Sequence, residues 1–294
     1  MSKRTTSFWL LNIVVLVWGL TGILGKEISL SAVPLVFWRV FIATAFLFIW
    51  MLIGKVPLHV ERRTLIRYVL AGGFTAAHWL CFFGSIKASN VSVALAVLST
   101  SAFFVSIVSP ALRREPFRWY EMGLGVVVFA GVAMIFNASF HYILGISLSL
   151  LAAFFASVFS TMNSKLVERD HPVRIAFWEM TSALVIVGIA CLLLPHQGSF
   201  LPGQRDVLLL LVLGILCTGL AFVVGIYVMK QLSPFTCAVA INMEPVYTIA
   251  AAVFLYGESE WMTLGFYIGA AVIMSTIFVD AWLKRRINAK TEAS

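Results

Sequence analysis

Ten long stretches of apolar residues, separated by short polar connections, make up almost the whole sequence. Each stretch holds about 20 residues, which is the length of helix that crosses the hydrocarbon core of a bilayer. The apolar residues run continuously and do not alternate with polar ones, which excludes a β-barrel. The pattern therefore predicts an all-α integral membrane protein with ten transmembrane helices. The predicted spans are 7–25, 34–53, 65–86, 90–111, 119–137, 143–164, 172–194, 206–229, 234–256 and 261–283.

The order of residues in the first five segments recurs in the last five. The polar frame that runs from Lys87 to Glu115 returns, without a gap, from Lys230 to Glu258. Phe37-Trp38-Arg39 in the second segment likewise returns as Phe177-Trp178-Glu179 in the seventh. A membrane chain built from two such halves is typical of a transporter.

The distribution of Lys and Arg predicts an orientation. With the N-terminus inside, 17 of the 21 Lys and Arg residues fall on the cytoplasmic side, where membrane proteins keep their positive charge. We therefore expect a multi-pass protein of the cytoplasmic (inner) membrane with both termini in the cytoplasm. The expected repeats, residues 1–138 and 139–294, each hold five helices. Because five is odd, the second repeat enters the membrane inverted relative to the first.

Composition excludes several other classes. The chain is 61% hydrophobic and 12% charged with a mean hydropathy of +0.98, whereas soluble proteins are about 25% charged. The net charge of +8 is explained by the basic loops, so we expect a lipid bilayer and no nucleic acid as partner. The sequence lacks hydrolase motifs, ATP-binding loops and metal-type cysteine spacing. It predicts neither catalytic activity nor a cofactor or metal site.

Glu244 is the acidic residue expected nearest the mid-plane, because it lies ten residues after Pro234, about 15 Å along a helix. Pro245 cannot donate a backbone hydrogen bond and frees the carbonyl near Ile241, which predicts a polar break that Asn242 extends. A carboxylate there must be paired, hydrated or protonated. Two interpretations stay open. Glu244 binds substrate or carries a coupling proton, or it forms a structural hydrogen bond to the other half.

Other polar and aromatic side chains lie at a similar depth. Each has a structural interpretation beside the functional one: Trp18 and Trp79 either pack on neighbouring helices or shape a pocket. His78 is either a satisfied core histidine or a proton relay with Glu244, and small hydroxyls in membranes most often join helices. The candidate substrate-binding residues are Trp18, Thr21, His78, Trp79, Ser99, Ser101, Asn242, Glu244 and Tyr247, with Glu244 and His78 as the candidates for proton coupling.

Arg39 and Glu179 occupy equivalent repeat positions, which inversion places at different depths, about 10 Å or more apart. They are therefore not expected to form an ion pair. We expect each to reach an interface or a helix end by snorkelling; a gate or substrate contact is the alternative. Asn163, close to the cytoplasmic end of the sixth segment, is expected to cap that helix. Gly265 and Gly269 favour packing of the tenth helix within the molecule over dimerisation.

With these residues in view, the chain resembles the drug/metabolite transporter superfamily, specifically the EamA-type ten-helix permeases. The resemblance covers nearly the whole chain and rests on Trp18-Gly19 followed by Lys26, Arg39, Glu244-Pro245-Val246 and Gly257-Glu258. It implies a carrier with a central cavity lined mainly by helices 1, 3, 4, 6, 8 and 9, often an exporter of amino acids, their relatives or drugs. In helix 4 this chain has Ser101-Ala102 where the family often has a Pro-containing pair, which leaves open whether helix 4 is broken as helix 9 is.

The sequence thus predicts a secondary transporter, as monomer or homodimer, that exports amino acids or related small molecules by alternating access, with proton coupling as an open option. A sugar-phosphate or nucleotide-sugar carrier is the alternative. It would need basic residues at the mid-plane to bind phosphate, and we expect none there. An intramembrane enzyme is less favoured, because His78 and Glu244 alone do not make a catalytic constellation.

Overall fold

The computed structural model describes residues 2–138, 140–193 and 198–292, and the regular elements in these ranges are all helical. Eight helices are long and apolar enough to cross a membrane, and two shorter apolar helices, Trp119–Ile135 and Leu264–Thr276, complete the set. The all-α, ten-helix prediction is confirmed. The helices are α1 Lys3–Glu27, α2 Ala32–Ile53, α3 Arg62–Ala88, α4 Val91–Arg113, α5 Trp119–Ala138, α6 Ile143–Leu166, α7 Pro172–Leu193, α8 Gln204–Val228, α9 Pro234–Tyr256 and α10 Leu264–Glu292.

Two of these helices are broken, at equivalent places. α4 consists of Val91–Leu98 and Ser101–Arg113, and α9 consists of Pro234–Ile241 and Glu244–Tyr256. The residues between the halves of α9 lie 143 positions after those between the halves of α4. The repeat seen in the sequence is therefore a repeat of backbone shape.

Each break is a single tight turn. The Thr100 N–H donates to the carbonyl of Val97 at 3.1 Å, and the Met243 N–H donates to the carbonyl of Ala240 at 3.1 Å. Both bonds span three residues instead of four, which tightens the helix locally. The break in α9 confirms the prediction from Pro245. The break in α4 settles the open question: this helix is broken although it has no proline at the turn.

The two broken helices both end at a residue with positive φ. Arg114 closes α4 with φ of 57°, and Gly257 closes α9 with φ of 54°. Glycine reaches positive φ at no steric cost, whereas an arginine is strained there. The ψ angles differ, 41° at Arg114 and −127° at Gly257, so the two caps have different backbone shapes.

α8 contains an irregularity that the sequence pattern does not predict. Its centre, Val212–Leu220, is a π-helix between the α-helical ends Gln204–Leu211 and Ala221–Val228. The Thr218 hydroxyl donates to the carbonyl of Leu213, five residues earlier, at 2.6 Å. π-Helical turns are rare and occur mostly near functional sites.

Helix contacts follow a two-fold pattern. α2 packs on α7, α4 on α9 and α5 on α10, so each of these pairs joins equivalent helices of the two halves. Three further sets of contacts occur as equivalent pairs: α1–α8 with α3–α6, α1–α9 with α4–α6, and α2–α8 with α3–α7. Exchanging the two halves therefore reproduces most of the packing, as expected for inverted repeats. The domain boundary stays a prediction, because residue 139 lies outside the described residues.

Hydrogen bonds and ion pairs tie the loops together at two ends of the bundle. We call one end the basic face; it carries Lys55, Arg113, Lys165 and Lys230. The other, which we call the Glu260 face, carries Lys26, Lys87, Asp206 and Glu260. The placing of the basic face in the cytoplasm stays a prediction.

Small residues permit the closest helix contacts. A Cβ atom at Gly269 of α10 would lie 2.7 Å from the Gly131 carbonyl oxygen of α5, so the expected packing within the molecule is confirmed for this glycine. At Gly72 of α3, a Cβ atom would lie 2.5 Å from the Glu179 carbonyl oxygen of α7. Such contacts occur only without a side chain.

We predict that Gly72→Ala destabilises the protein, because its methyl group must displace the α7 backbone. Overpacking of this kind costs about 1–3 kcal/mol, which thermal unfolding in detergent would detect as a lower Tm. The control is Gly123→Ala in α5, where a Cβ atom meets nothing within 4 Å and helix propensity favours alanine. An equal Tm for the two variants would contradict the close contact of α3 with α7.

Candidate functional site

A cavity in the centre of the bundle holds about 870 Å³ of empty volume, counting its open mouth. Its wall comes from α1, α3, α4, α6, α8 and α9, as the resemblance implied, and also from α2 through Arg39. Most of the wall is apolar or aromatic, including Trp18, Trp79, Phe159 and Phe222.

Six of the nine candidate binding residues lie on this wall. They are Trp18, Thr21, His78, Trp79, Ser101 and Glu244. They come from four different helices, so the fold brings together residues that are far apart in the chain. That each contacts a substrate stays a prediction.

The other three candidates lie off the wall. Ser99 sits in the α4 break, where its hydroxyl donates to the Leu95 carbonyl at 3.2 Å. Asn242 sits in the α9 break, buried, and neither polar atom of its side chain has a partner among the described residues. Tyr247 is 42% exposed on the outside of α9. Tyr247 lies off the cavity wall, although residues three apart lie near the same face of a helix.

Glu244 begins the second half of α9, so its side chain stands at the N-terminus of a 13-residue helix. This position favours negative charge through the helix dipole. The side chain lines the cavity and the residue is 6% exposed. Within the described part of the chain, the carboxylate receives no hydrogen bond and forms no ion pair, so the structural interpretation, a hydrogen bond to the other half, finds no support.

Arg39 does not snorkel to an interface, and that expectation was wrong. The residue is only 2% exposed, and its Nε donates to the Thr218 hydroxyl at 2.6 Å. The guanidinium carbon lies 4.3 Å from the centroid of the Trp79 ring and 5.2 Å from that of Phe83, distances at which aromatic faces attract a cation. The Thr218 acceptor and these two rings stabilise the charge inside the bundle.

The local structure of α8 explains why Arg39 turns inward. Thr218 belongs to the π-helix, and Gly214 in the same segment lets α2 approach until a Cβ there would lie 3.1 Å from the Arg39 carbonyl oxygen. This close contact places the Thr218 hydroxyl within reach of the guanidinium. The expectation of no basic group at the mid-plane is therefore corrected, because Arg39 reaches the cavity wall. The available signal was the rule that a charge inside a span is functional by default.

Glu179 does not snorkel either. It is 0% exposed, and its Oε2 accepts a hydrogen bond from Asn163 Nδ2 at 3.2 Å. Asn163 is thus a side-chain partner of α7 and not the expected helix cap. Burial against α3, through Gly72, prevents Glu179 from reaching the interface.

Arg39 and Glu179 do not pair, as expected. The antiparallel contact of α2 with α7 fixes their relative depth: the Phe48 and Phe177 ring centroids lie 6.0 Å apart, and a Cβ at Gly188 would lie 3.7 Å from the Phe37 ring. In these two contacts, residue numbers rise along α2 as they fall along α7. Glu179 is therefore level with a point about seven residues after Arg39 along α2, which corresponds to about 10 Å along the helix.

His78 is held by a backbone hydrogen bond, since its Nδ1 lies 2.8 Å from the Ala152 carbonyl oxygen. Its ring also contacts Phe82 and Phe159. No hydrogen bond joins it to Glu244 among the described residues, so a direct relay between them finds no support in this conformation. The described residues also contain no group of three or more His, Cys, Asp or Glu side chains that could hold a metal ion.

The cavity opens towards the basic face. A second hollow of about 570 Å³, again counting open space, lies there and shares Met229 and Pro234 with the cavity. Its wall includes Arg113, Arg118 and Glu168. These shared residues place the mouth of the cavity on the basic face.

The opposite end is sealed by Glu260. This carboxylate is fully buried; it pairs with Lys26 Nζ at 2.9 Å and accepts hydrogen bonds from the Val91 and Ser92 N–H groups at 3.3 and 3.0 Å. It therefore joins α1, the N-terminus of α4 and the turn before α10. Below this layer, the Thr248 hydroxyl of α9 donates to the Gly19 carbonyl of α1 at 3.0 Å.

We predict that Glu260→Gln loosens this seal, because one amide oxygen cannot replace two carboxylate oxygens and the charge is lost. A hydrogen bond to a charged group contributes about 1.5–3 kcal/mol, so the Val91 and Ser92 amides should exchange their hydrogens at least about tenfold faster. Hydrogen exchange with mass spectrometry measures this rate. The matched control is Glu258→Gln, which alters an exposed carboxylate; equal exchange in both variants would contradict the role of Glu260.

Known proteins are similar to this chain in sequence and in fold. The model of the EamA-like transporter family matches residues 5–137 and 143–280. Two relatives are described as uncharacterized transporters: YxxF of Bacillus subtilis (strain 168), 23% identical over 84% of this chain and 81% of its own, and one of Archaeoglobus fulgidus, 24% identical over 92% and 96%. A crystal structure covers 97% of this chain and 100% of its own with a TM-score of 0.73 at 18% identity, a likeness that shows the fold alone. Because the family model matches both halves almost completely, the chain belongs to the EamA-like transporter family.

Proposed function

We propose that the protein is a secondary transporter of amino acids or closely related zwitterions that works by alternating access. One observation carries this proposal: a basic and an acidic side chain share one apolar cavity, and each has unmet bonding capacity. Arg39 has a buried Nη1 without a partner among the described residues, and the Glu244 carboxylate lacks both hydrogen bond and ion pair there. An amino acid supplies a carboxylate for Arg39 and an ammonium group for Glu244.

The free-energy cost of placing two charged side chains inside the membrane supports this proposal. A charged side chain at the centre of a bilayer costs about 2.5–3.5 kcal/mol on insertion scales. The planar guanidinium matches a carboxylate, since it can donate two parallel hydrogen bonds. The aromatic wall, with Trp18 and Phe222, suits the apolar side chain of a substrate. A bound zwitterion would meet both charges at once.

A phosphate-bearing substrate fits less well. Arg39 provides the basic group that such a carrier needs, so the corrected position of Arg39 removes the original objection. However, Arg39 is the one Lys or Arg on the cavity wall among the described residues, and Glu244 lines the same cavity. A phosphate dianion would be repelled by this carboxylate.

The position of the mouth supports loading from the basic face. If this face is cytoplasmic, the conformation described here receives substrate from the cytoplasm, and release on the far side requires the Lys26–Glu260 seal to open. The two-fold packing of the halves provides the second conformation, because inverted repeats can exchange their shapes. Export from the cytoplasm is therefore part of the proposal.

The test is uptake of a panel of labelled amino acids into proteoliposomes, with and without a pH gradient. The unmodified protein should transport one class of amino acids. Glu244→Gln and Arg39→Gln should each lower the uptake rate at low substrate concentration by about 10- to 100-fold, because each removes a hydrogen-bonded charge worth about 1.5–3 kcal/mol.

Glu61→Gln is the matched control, since Glu61 is an exposed carboxylate ahead of α3, and it should transport normally. Folding of every variant is checked by size-exclusion chromatography. Absence of flux for all amino acids in folded protein would overturn the proposal. Amino-acid flux that neither cavity substitution alters would overturn the roles of Arg39 and Glu244.

A further inference from the structure

Another buried carboxyl lies outside the cavity wall and has no role in the proposed function. Glu179 of α7 is fully buried and bonded to Asn163 of α6, which is itself 1% exposed. Asn163 lies one turn beyond Phe159 and Ser160, the last cavity-lining residues of α6. The pair therefore sits behind the wall, towards the basic face.

The hydrogen bonding of this pair is incomplete in a specific way. Asn163 Nδ2 donates to Glu179 Oε2 at 3.2 Å. The second carboxyl oxygen, Glu179 Oε1, and the amide oxygen, Asn163 Oδ1, are buried without a partner. Both unpartnered atoms are acceptors. An ionised Glu179 would leave two buried acceptors unpaired, and each such group costs about 1–3 kcal/mol, more for a charged one.

One proton on Glu179 Oε1 resolves both deficits. The acid would donate to Asn163 Oδ1 while the amide donates to Glu179 Oε2, which gives a ring of two hydrogen bonds. The side-chain chemistry allows this, because a protonated carboxyl has one donor and an amide offers both a donor and an acceptor. The two unpartnered acceptors thus favour a neutral acid.

The described surroundings supply no cation in place of that proton. On α3, Tyr68 is the titratable group that interacts with Glu179, and its hydroxyl is bonded to Asp170. The nearby cation, Arg174, is paired with the same Asp170. On α2, Arg39 is bonded to Thr218 and lies about 10 Å away along the bundle.

We propose that Glu179 and Asn163 form a proton-binding site, separate from the cavity, whose proton is exchanged with solution during the transport cycle. This proposal rests on the proposed transport function for the exchange step only. The repeat supplies a reason for exchange: Glu179 is the equivalent of Arg39, which lines the cavity here. When the two halves exchange shapes, Glu179 takes the cavity-facing position and can release its proton to water.

The first experiment needs no substrate. Infrared spectra of the purified protein, recorded as the pH is raised, should contain at neutral pH a neutral-carboxyl C=O stretch that Glu179→Gln lacks and Glu244→Gln retains. Asn163→Ala should keep the band but move it to higher frequency, because the carbonyl loses its hydrogen bond. Glu61→Gln should leave the band unchanged.

Two outcomes would overturn the proton site. The native and Glu179→Gln spectra would be the same at neutral pH if Glu179 were ionised. A carboxyl band that appears only when Na⁺ is replaced by choline would assign the site to sodium. Because Asn163→Ala keeps the carboxyl, the test remains decisive if Glu179→Gln does not fold.

The second experiment tests the exchange in proteoliposomes, with the labelled amino acid that the unmodified protein transports. One proton per substrate allows a gradient of one pH unit to drive about tenfold accumulation. Glu179→Gln should exchange labelled for unlabelled substrate at a normal rate but accumulate none. The contrary result is that Glu179→Gln still accumulates substrate and only Glu244→Gln loses both exchange and accumulation. It would overturn the coupling role of Glu179 while leaving the proposed transport function in place.

Discussion

The arrangement of the molecule depends on keeping a basic and an acidic side chain, Arg39 and Glu244, inside an apolar bundle without an ion pair between them. Each is stabilised by a local irregularity of the backbone. The π-helix of α8 presents Thr218 to Arg39, and the break in α9 places Glu244 at a helix N-terminus. In regular helices, Thr218 would not be presented to Arg39 and Glu244 would not stand at a helix N-terminus. The two irregularities therefore explain how the bundle holds a polar site with most of its wall apolar.

Symmetry between the halves sets how this site can work. The breaks in α4 and α9 lie at equivalent positions, but Ser101 stands where Glu244 stands, and Glu179 stands where Arg39 stands. The halves share the position of their helix breaks and differ in charge. An exchange of their shapes would keep the cavity while changing which charged residues face it. The cavity is sealed at the Glu260 face by bonds that join α1 and α4 to the turn before α10, so this end must open for turnover.

The sequence predicted the features that follow from composition and spacing: ten helices, two halves and the break at Pro245. It did not predict the direction of long side chains. The position of Arg39 in the chain gives the depth of its Cα atom, but the guanidinium reaches several ångströms further and follows Thr218, a residue 179 positions away. The break at Thr100 and the π-helix of α8 have no proline or other local signal. Tyr247 lies off the cavity wall, and an almost uniformly apolar stretch does not indicate which face of its helix is turned towards the cavity.

The measurement that tests the central claim most directly is a comparison of binding affinities. Three ligands are compared: an amino acid, its methyl ester and its analogue without the amino group. Each is bound to the unmodified protein, to Arg39→Gln and to Glu244→Gln. The account predicts that the unmodified protein binds the full amino acid at least about tenfold more tightly than either analogue, since each lacks one charged contact. Arg39→Gln should no longer distinguish the ester, and Glu244→Gln should no longer distinguish the deaminated analogue. Equal discrimination by all three proteins would contradict the claim that these two residues bind the two ends of a zwitterion.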